Sequence, residues 1–190
     1  MNANDFLESK NGRMTLILIL CVSLFLLFGF YAEGQTTHTI SLSKGYQMIS
    51  SNIIPEDDSI HHIFAGKPVE IVIGKNGVYW QRGNVNTIHT WNSTQAYKVK
   101  ANEPCTIELY GNIVQLPQTI QIKAGYNYLP ALRNIKLVDL VQGYEDNIIM
   151  IVDMLTLALW MPDMYTSPLE NITVGKGYIL LALSPFTLTF

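Results

Sequence analysis

The chain carries one pattern twice. Ile40-Ser41-Leu42-Ser43-Lys44-Gly45-Tyr46 returns as Ile120-Gln121-Ile122-Lys123-Ala124-Gly125-Tyr126, eighty positions later. Ile71-Val72 returns at the same offset as Ile151-Val152, and Trp80 as Trp160. After one inserted residue, Ala96-Tyr97 returns as Gly177-Tyr178 and Thr106 as Thr187. A duplication constrains the fold strongly, because each copy must build the same small unit. A unit of roughly 75–80 residues buries too little surface to be comfortable alone, so neighbouring copies gain by packing together. The expectation is two tandem repeats, 35–112 and 113–190, packed as a pseudo-two-fold pair sharing one core. They leave no length for a separate catalytic domain, which points away from an enzyme.

The N-terminal segment reads differently. Met1 to Met14 is polar and carries Lys10 and Arg13, and Thr15 to Phe30 is a nearly unbroken apolar run of sixteen residues. Ala32 and Gly34 then supply small residues at the −3 and −1 positions of a cut before Gln35. That order is a secretory signal peptide over 1–34. The alternative is a retained signal anchor, but the run falls short of the roughly 20 residues a spanning helix prefers. Leu20 before Cys21 does not fit a lipidation site. Export predicts a secreted, periplasmic or cell-surface protein with no stable membrane span once the signal is cut.

Taking Lys10 and Arg13 from twelve basic residues, and Asp5, Glu8 and Glu33 from fifteen acidic ones, leaves 35–190 with a net charge of −2. No basic patch interrupts it, so nucleic acid is not an expected partner. Cys105 is the single cysteine of 35–190 and cannot form an intramolecular disulfide. Stability must come from an apolar core, and the richness in Ile, Val, Leu, Tyr and Trp is a β-type palette.

The fold class expected is mainly β with one short helix per repeat. In the first copy, Thr37 to Leu42 and Tyr46 to Ser50 read as strands broken at Lys44-Gly45, and Asn52 to Pro55 as a connector. Asp57 and Asp58 are N-cap candidates for a helix carrying Ile60, Ile63 and Phe64 and ending at Gly66. Val69 to Ile73 and Val78 to Gln81 form a hairpin through Lys75-Asn76-Gly77, where Asn-Gly accepts positive φ at both positions. Ala96 to Lys100 and Thr106 to Tyr110 close the copy. The second copy follows with Thr119 to Lys123, Tyr126 to Leu129, a helix face of Leu137, Leu140 and Val141, then Ile148 to Asp153, Leu157 to Met161, Gly177 to Leu181 and Phe186 to Phe190. A short linker, Asn112 to Gln118, joins the two.

The stretch Asn76-Gly77-Val78-Tyr79-Trp80, followed by Asn86-Thr87-Ile88, Trp91 and Ala96-Tyr97-Lys98-Val99, and preceded by Lys44-Gly45-Tyr46-Gln47-Met48-Ile49-Ser50, resembles a tandem repeat module of secreted Bacteroidetes proteins. In that family a Gly-Trp-Asn-like strand opens each repeat. An Asp-rich helix start, an Asn-Gly-x-x-Tyr/Trp hairpin and a Gly-Tyr-x-x-Lys-like strand follow. The resemblance covers both copies. It implies an accessory segment of exported proteins, often found near type IX secretion sorting domains, and it brings no catalytic residues. The chain departs from the pattern at Tyr46 and Tyr126, where the family has Trp, and 35–190 contains no sorting domain.

The candidate chemistry is sparse. His61-His62 are neighbours on a helix and point about 100° apart, whereas a helical metal pair wants i and i+4. His38 and His89 are remote in sequence. Ser50-Ser51 and Ser184 lack a Gly-x-Ser-x-Gly frame. Cys105 with His89 is a conceivable thiol and base, but a strand-start Cys between Pro104 and Thr106 reads as a small core hydrophobe. Glu56-Asp57-Asp58 has the oxygens calcium takes but no regular Asp-x-Asp-x-Asp loop. No metal and no cofactor is therefore expected. Asn92-Ser93-Thr94 and Asn171-Ile172-Thr173 match the eukaryotic glycosylation sequon, and Asp58-Ser59-Ile60 a bacterial O-glycosylation pattern.

The aromatics are the remaining candidates. Trp80, Trp91 and Trp160, with Tyr79, Tyr97, Tyr110, Tyr126, Tyr128, Tyr165 and Tyr178, could stack on a sugar. Trp80 and Trp160 recur in both copies, as do Tyr97 and Tyr178, which suits core anchors. Trp91, with Ile172 as its counterpart and a polar turn behind it, is the expected surface platform and possible ligand-binding residue. The function expected is a non-catalytic exported module binding a protein or a glycan. A spacer of a larger surface assembly is the alternative, followed by a hydrolase with a cryptic site between the repeats at Asp139, Asp146 or Asp153.

Overall fold

A computed structural model describes residues 34–163 and 166–190. The expected signal peptide, Gly34 apart, and Tyr165 lie outside the described residues. The described residues are mainly β, with two short helices. Among the described residues no helix is long and apolar enough to cross a membrane.

The first stretch contains β1 (Thr36–Leu42), β2 (Gly45–Ile49), β3 (Ile53–Pro55), α1 (Ile60–Phe64), β4 (Val69–Ile73), β5 (Val78–Trp80), β6 (Val85–Asn86), β7 (Tyr97–Ala101) and β8 (Cys105–Ile113). The second contains β9 (Thr119–Ile122), β10 (Gly125–Pro130), β11 (Ile135–Lys136), α2 (Leu137–Leu140), a 3-10 turn at Glu145–Asn147, β12 (Ile148–Val152), β13 (Leu159–Trp160), β14 (Asn171–Ile172), β15 (Gly177–Ala182) and β16 (Phe186–Thr189). One antiparallel sheet runs β2-β7-β4-β5-β6, and another runs β10-β15-β12-β13. β1 pairs with β8, and β9 with β16.

Alternation explains these strands. β1 buries Ile40 and Leu42 and exposes Thr37, Thr39 and Ser41, the period-2 pattern of a sheet with one wet face. Between β1 and β2, and between β9 and β10, the chain turns through a glycine at positive φ, Gly45 at 103° and Gly125 at 89°. An amide locks each turn. Gln47 accepts from the Ser43 N–H and donates to the Ser43 carbonyl, and Asn127 does the same with Lys123.

Several local expectations are corrected. Asn52 to Pro55 is not merely a connector: Ile53–Pro55 pairs with Gly111–Ile113 at the end of β8, which runs into the expected linker. Neither Asp57 nor Asp58 caps α1; Ser59 holds the N-cap without a side-chain bond. Asp57 instead accepts the Ser59 N–H and the His62 ring. The Asn76-Gly77 hairpin has no positive φ; Gly77 is required by space, since a Cβ there would sit 2.8 Å from the Thr87 carbonyl.

The sharpest correction concerns register. The sequence match sets Ile71 against Ile151 and Trp80 against Trp160, and within each hairpin Ile71 pairs with Trp80 and Ile151 with Trp160. Against the neighbouring strand, however, Val72 lies opposite Val99 and Ile151 opposite Leu180, each two residues past the matched Tyr97 and Tyr178. Ile151 occupies in β12 the fully buried place that Val72 occupies in β4, and the residue opposite Val72 is Tyr79. A one-residue slip in a strand moves a side chain to the other face. Trp160 and Tyr79 are therefore core residues, while Trp80 is 40% exposed.

A shared core was expected, but apart from Met48 and Ala96 the buried apolar residues fall into two clusters, one from Ile40 to Leu109 and one from Val114 to Phe190. Small and polar groups join the stretches where a core would need bulk. Ile49 bridges to Lys176. Ser50 Oγ donates to the Lys176 carbonyl at 2.5 Å and accepts the Ala131 N–H at 2.9 Å. A Cβ on Gly177 would lie 2.8 Å from that of Ala96, so glycine is what lets the two stretches approach.

Candidate functional site

The largest change to the expected site is at Trp91. It is only 4% exposed and packs at a tilt against Tyr97, with ring centroids 4.5 Å apart. Its backbone N–H bonds to the Asp58 carbonyl, which pins the loop under the first core. Buried this way, the indole offers no face to a sugar. Tyr97 and Tyr178 are buried too, and each hydroxyl accepts a backbone N–H from the preceding turn, Asn92 at 2.7 Å and Thr173 at 2.9 Å. Burial pushes both phenols up, so they stay protonated.

The titratable candidates disperse. His62 pairs with Asp57 at 2.7 Å on the open surface, while His61 turns to the Tyr79 hydroxyl at 3.2 Å. Among the described residues no three His, Cys, Asp or Glu side chains gather as a metal site. Cys105 sits opposite Leu42 in β8, and burial pushes its thiol up, away from the thiolate a nucleophile needs. His38 Nδ1 does lie 2.8 Å from Ser51 Oγ. Ser51 is fully buried, however, and its oxygen accepts the Ile53 N–H, so no substrate carbonyl reaches it. Asp153 is buried in a salt bridge with Lys176 at 2.8 Å and accepts the Leu155 and Thr156 N–H groups. Burial would raise its pKa, but these bonds outweigh it and hold the carboxyl below the usual range.

What the structure does assemble is a groove of about 410 Å³ where the two stretches meet. Its walls are the hairpin tip Gly74-Lys75-Asn76, the segment Thr94-Gln95-Ala96, β9, and Tyr126-Asn127-Tyr128 of β10. Tyr126 is 73% exposed, and it is the most open aromatic among the described residues. Its matched residue Tyr46 is 44% exposed, with the Lys98 and Lys100 ammonium groups 4.7 and 5.6 Å from the ring centre. Beside Tyr126 the corresponding β15 positions are Ile179 and Leu181, and among the described residues no cation lies over that ring as Lys98 and Lys100 do over Tyr46.

The wall opposite shows the same asymmetry. Gly74 and Asp153 both open the hairpin that follows their strand, through the Gly74 N–H to Gly77 and the Asp153 N–H to Ala158. Gln95 and Lys176 both stand two residues before the paired tyrosines. At 153 and 176 a salt bridge fills the space; at 74 and 95 a glycine and a neutral amide leave it open to the groove. The sequence named Tyr126 only as one aromatic among ten, and the loss of the covering charges beside it was the signal that could have singled it out. Compared with protein-family models, curated proteins and solved structures, the chain matches none.

Proposed function

We propose that this chain is a non-catalytic exported binding module that holds a glycan. Two packed copies, 35–112 and 113–190, would form its body as a pseudo-two-fold pair after cleavage of a signal peptide. The shared strand order, the twin glycine turns with their amide locks and the twin tyrosine bonds support the pairing. The signal-like N-terminus and the resemblance to exported Bacteroidetes repeats support a place in the envelope or outside the cell.

The observation that carries the binding reading is the uncovered Tyr126 ring at the lip of a 410 Å³ groove. An exposed aromatic face suits the apolar face of a sugar ring, and the neighbouring Asn76, Gln95 and Thr94 offer hydrogen-bond partners for its hydroxyls. The buried Ser51 and the bound-up Asp153 support a site without turnover. The test is a polysaccharide binding screen on the full-length protein beside Tyr126→Ala. Retained binding in that variant would remove the site.

A protein partner is a second reading, favoured by the exposed Leu155 and Leu157 in one turn. A spacer role would leave every binding screen empty.

A further inference from the structure

We infer that the ligand of this groove is an anionic saccharide, one carrying carboxylate or sulfate groups along its chain. The inference rests on the glycan-binding reading and adds the charge of the ligand. Two lysines line the groove, one from each stretch, Lys75 at the β4–β5 hairpin tip and Lys123 in the turn between β9 and β10. No Asp or Glu lines it. Both lysines are exposed, and among the described residues neither makes a salt bridge.

This local balance runs against that of the chain as a whole, whose formal net charge is −3. A molecule with that balance repels polyanions at long range, so attraction must come from a local pair of cations. The groove volume of about 410 Å³ lies within the ~300–1,000 Å³ of small-ligand sites. Lysine heads on flexible stems suit anions spaced along a polymer, where no fixed bidentate geometry is imposed. Tyr126 lines the same groove and supplies the stacking face.

The matched wall has traded these features for internal pairs. There Lys176 is committed to Asp153, and Lys98 and Lys100 cover Tyr46. The charge is present on both sides, but in the groove the two cations stand open to a ligand beside a bare ring.

The experiment is titration of the full-length protein with three probes: an oligogalacturonate, a sulfated dextran oligomer and a neutral galactan oligomer. The expected result is binding of at least one anionic probe about tenfold or more tighter than the neutral one, a preference of ~1.4 kcal/mol or more. Raising salt from 50 to 500 mM should reduce that preference, because exposed charges are screened. Lys75→Gln with Lys123→Gln should abolish the preference, while Lys136→Gln, another exposed lysine, should leave it. Tyr126→Ala should weaken binding of every saccharide.

The relative strength of the two anionic probes tells carboxylate from sulfate. Binding of the neutral oligomer as tight as either anionic one, lost with Tyr126→Ala, overturns this inference and leaves the glycan reading standing. Anionic binding that survives the double lysine substitution overturns it as well. Silence of all three probes removes both readings.

Discussion

Ser50→Ala probes the junction on which the groove depends. Ser50 is fully buried, and its hydroxyl is shared between the Lys176 carbonyl at 2.5 Å and the Ala131 N–H at 2.9 Å. Both partners belong to the second stretch, so one oxygen ties residue 50 to residues 131 and 176. Alanine fits the space but leaves a buried N–H with no acceptor and a carbonyl with no donor. Each orphaned group costs about 1–3 kcal/mol, the N–H towards the upper end because it has no second choice. The sum is about 2–6 kcal/mol, a large part of the ~5–15 kcal/mol that holds a domain together. In urea denaturation of the full-length protein, a slope of roughly 2 kcal/mol/M turns that loss into a midpoint drop of about 1 M or more. Ser41→Ala, on the exposed face of β1, should shift nothing. A Ser50→Ala loss below about 0.5 kcal/mol, the scatter of ordinary surface changes, would refute the reasoning that this hydroxyl welds the two stretches.

Tyr79→Ala should cost about 3 kcal/mol or more and Trp80→Ala under about 1 kcal/mol by chemical denaturation, because Tyr79 is the core residue of β5. Equal losses would contradict the register. Trp91→Ala should cost about 3–5 kcal/mol. Trp91→Phe should cost much less, since the buried Nε1 has no hydrogen-bond partner to lose, and the two thermal midpoints separate these cases. Gly77→Ala should destabilise by roughly 1–3 kcal/mol through its clash with the Thr87 backbone, and a neutral denaturation midpoint would argue against that contact. Burial holds the His38 pKa below its ordinary value. The unfolded chain therefore takes the proton first, and stability present above about pH 6.5 declines as pH falls below it. The Asp153 carboxyl, also held low, adds a second decline at more acid pH, below the ordinary carboxylate range. Thermal midpoints from pH 8 to 5 should show the first decline, and His38→Gln should flatten it.

Much of the architecture is legible in the residues. Period-2 runs such as Thr37–Leu42 and the spacing of Ile60, Ile63 and Phe64 encode elements within a residue or two of where they lie. Two- and three-residue strands such as β3, β6, β11 and β14 are not legible, because pairing partners rather than local pattern define them. The Trp80–Trp160 match misled for a reason internal to sheets. Aligning the most similar residue types set the two hairpins one position out of step, and one position reverses the face. Trp91 misled because a polar turn next to a tryptophan suggests exposure, while the Asp58 carbonyl and the Tyr97 ring hold it inside. The groove stayed hidden because its walls come from residues 74–76, 94–96 and 120–128, which only the tertiary fold brings together. Its distinguishing feature is a difference between copies: Gly74 and Gln95 stand where Asp153 and Lys176 pair. A search for similarity passes over it.

The central claim is that the uncovered ring in the groove, and not its covered counterpart, makes this a glycan-binding module. The direct measurement is a glycan array probed with the full-length protein, Tyr126→Ala and Tyr46→Ala, all three matched for thermal stability. The account predicts that wild type and Tyr46→Ala bind the same glycans and that Tyr126→Ala loses them about tenfold or more. Equal binding by Tyr126→Ala and wild type, or loss in Tyr46→Ala alone, would contradict it.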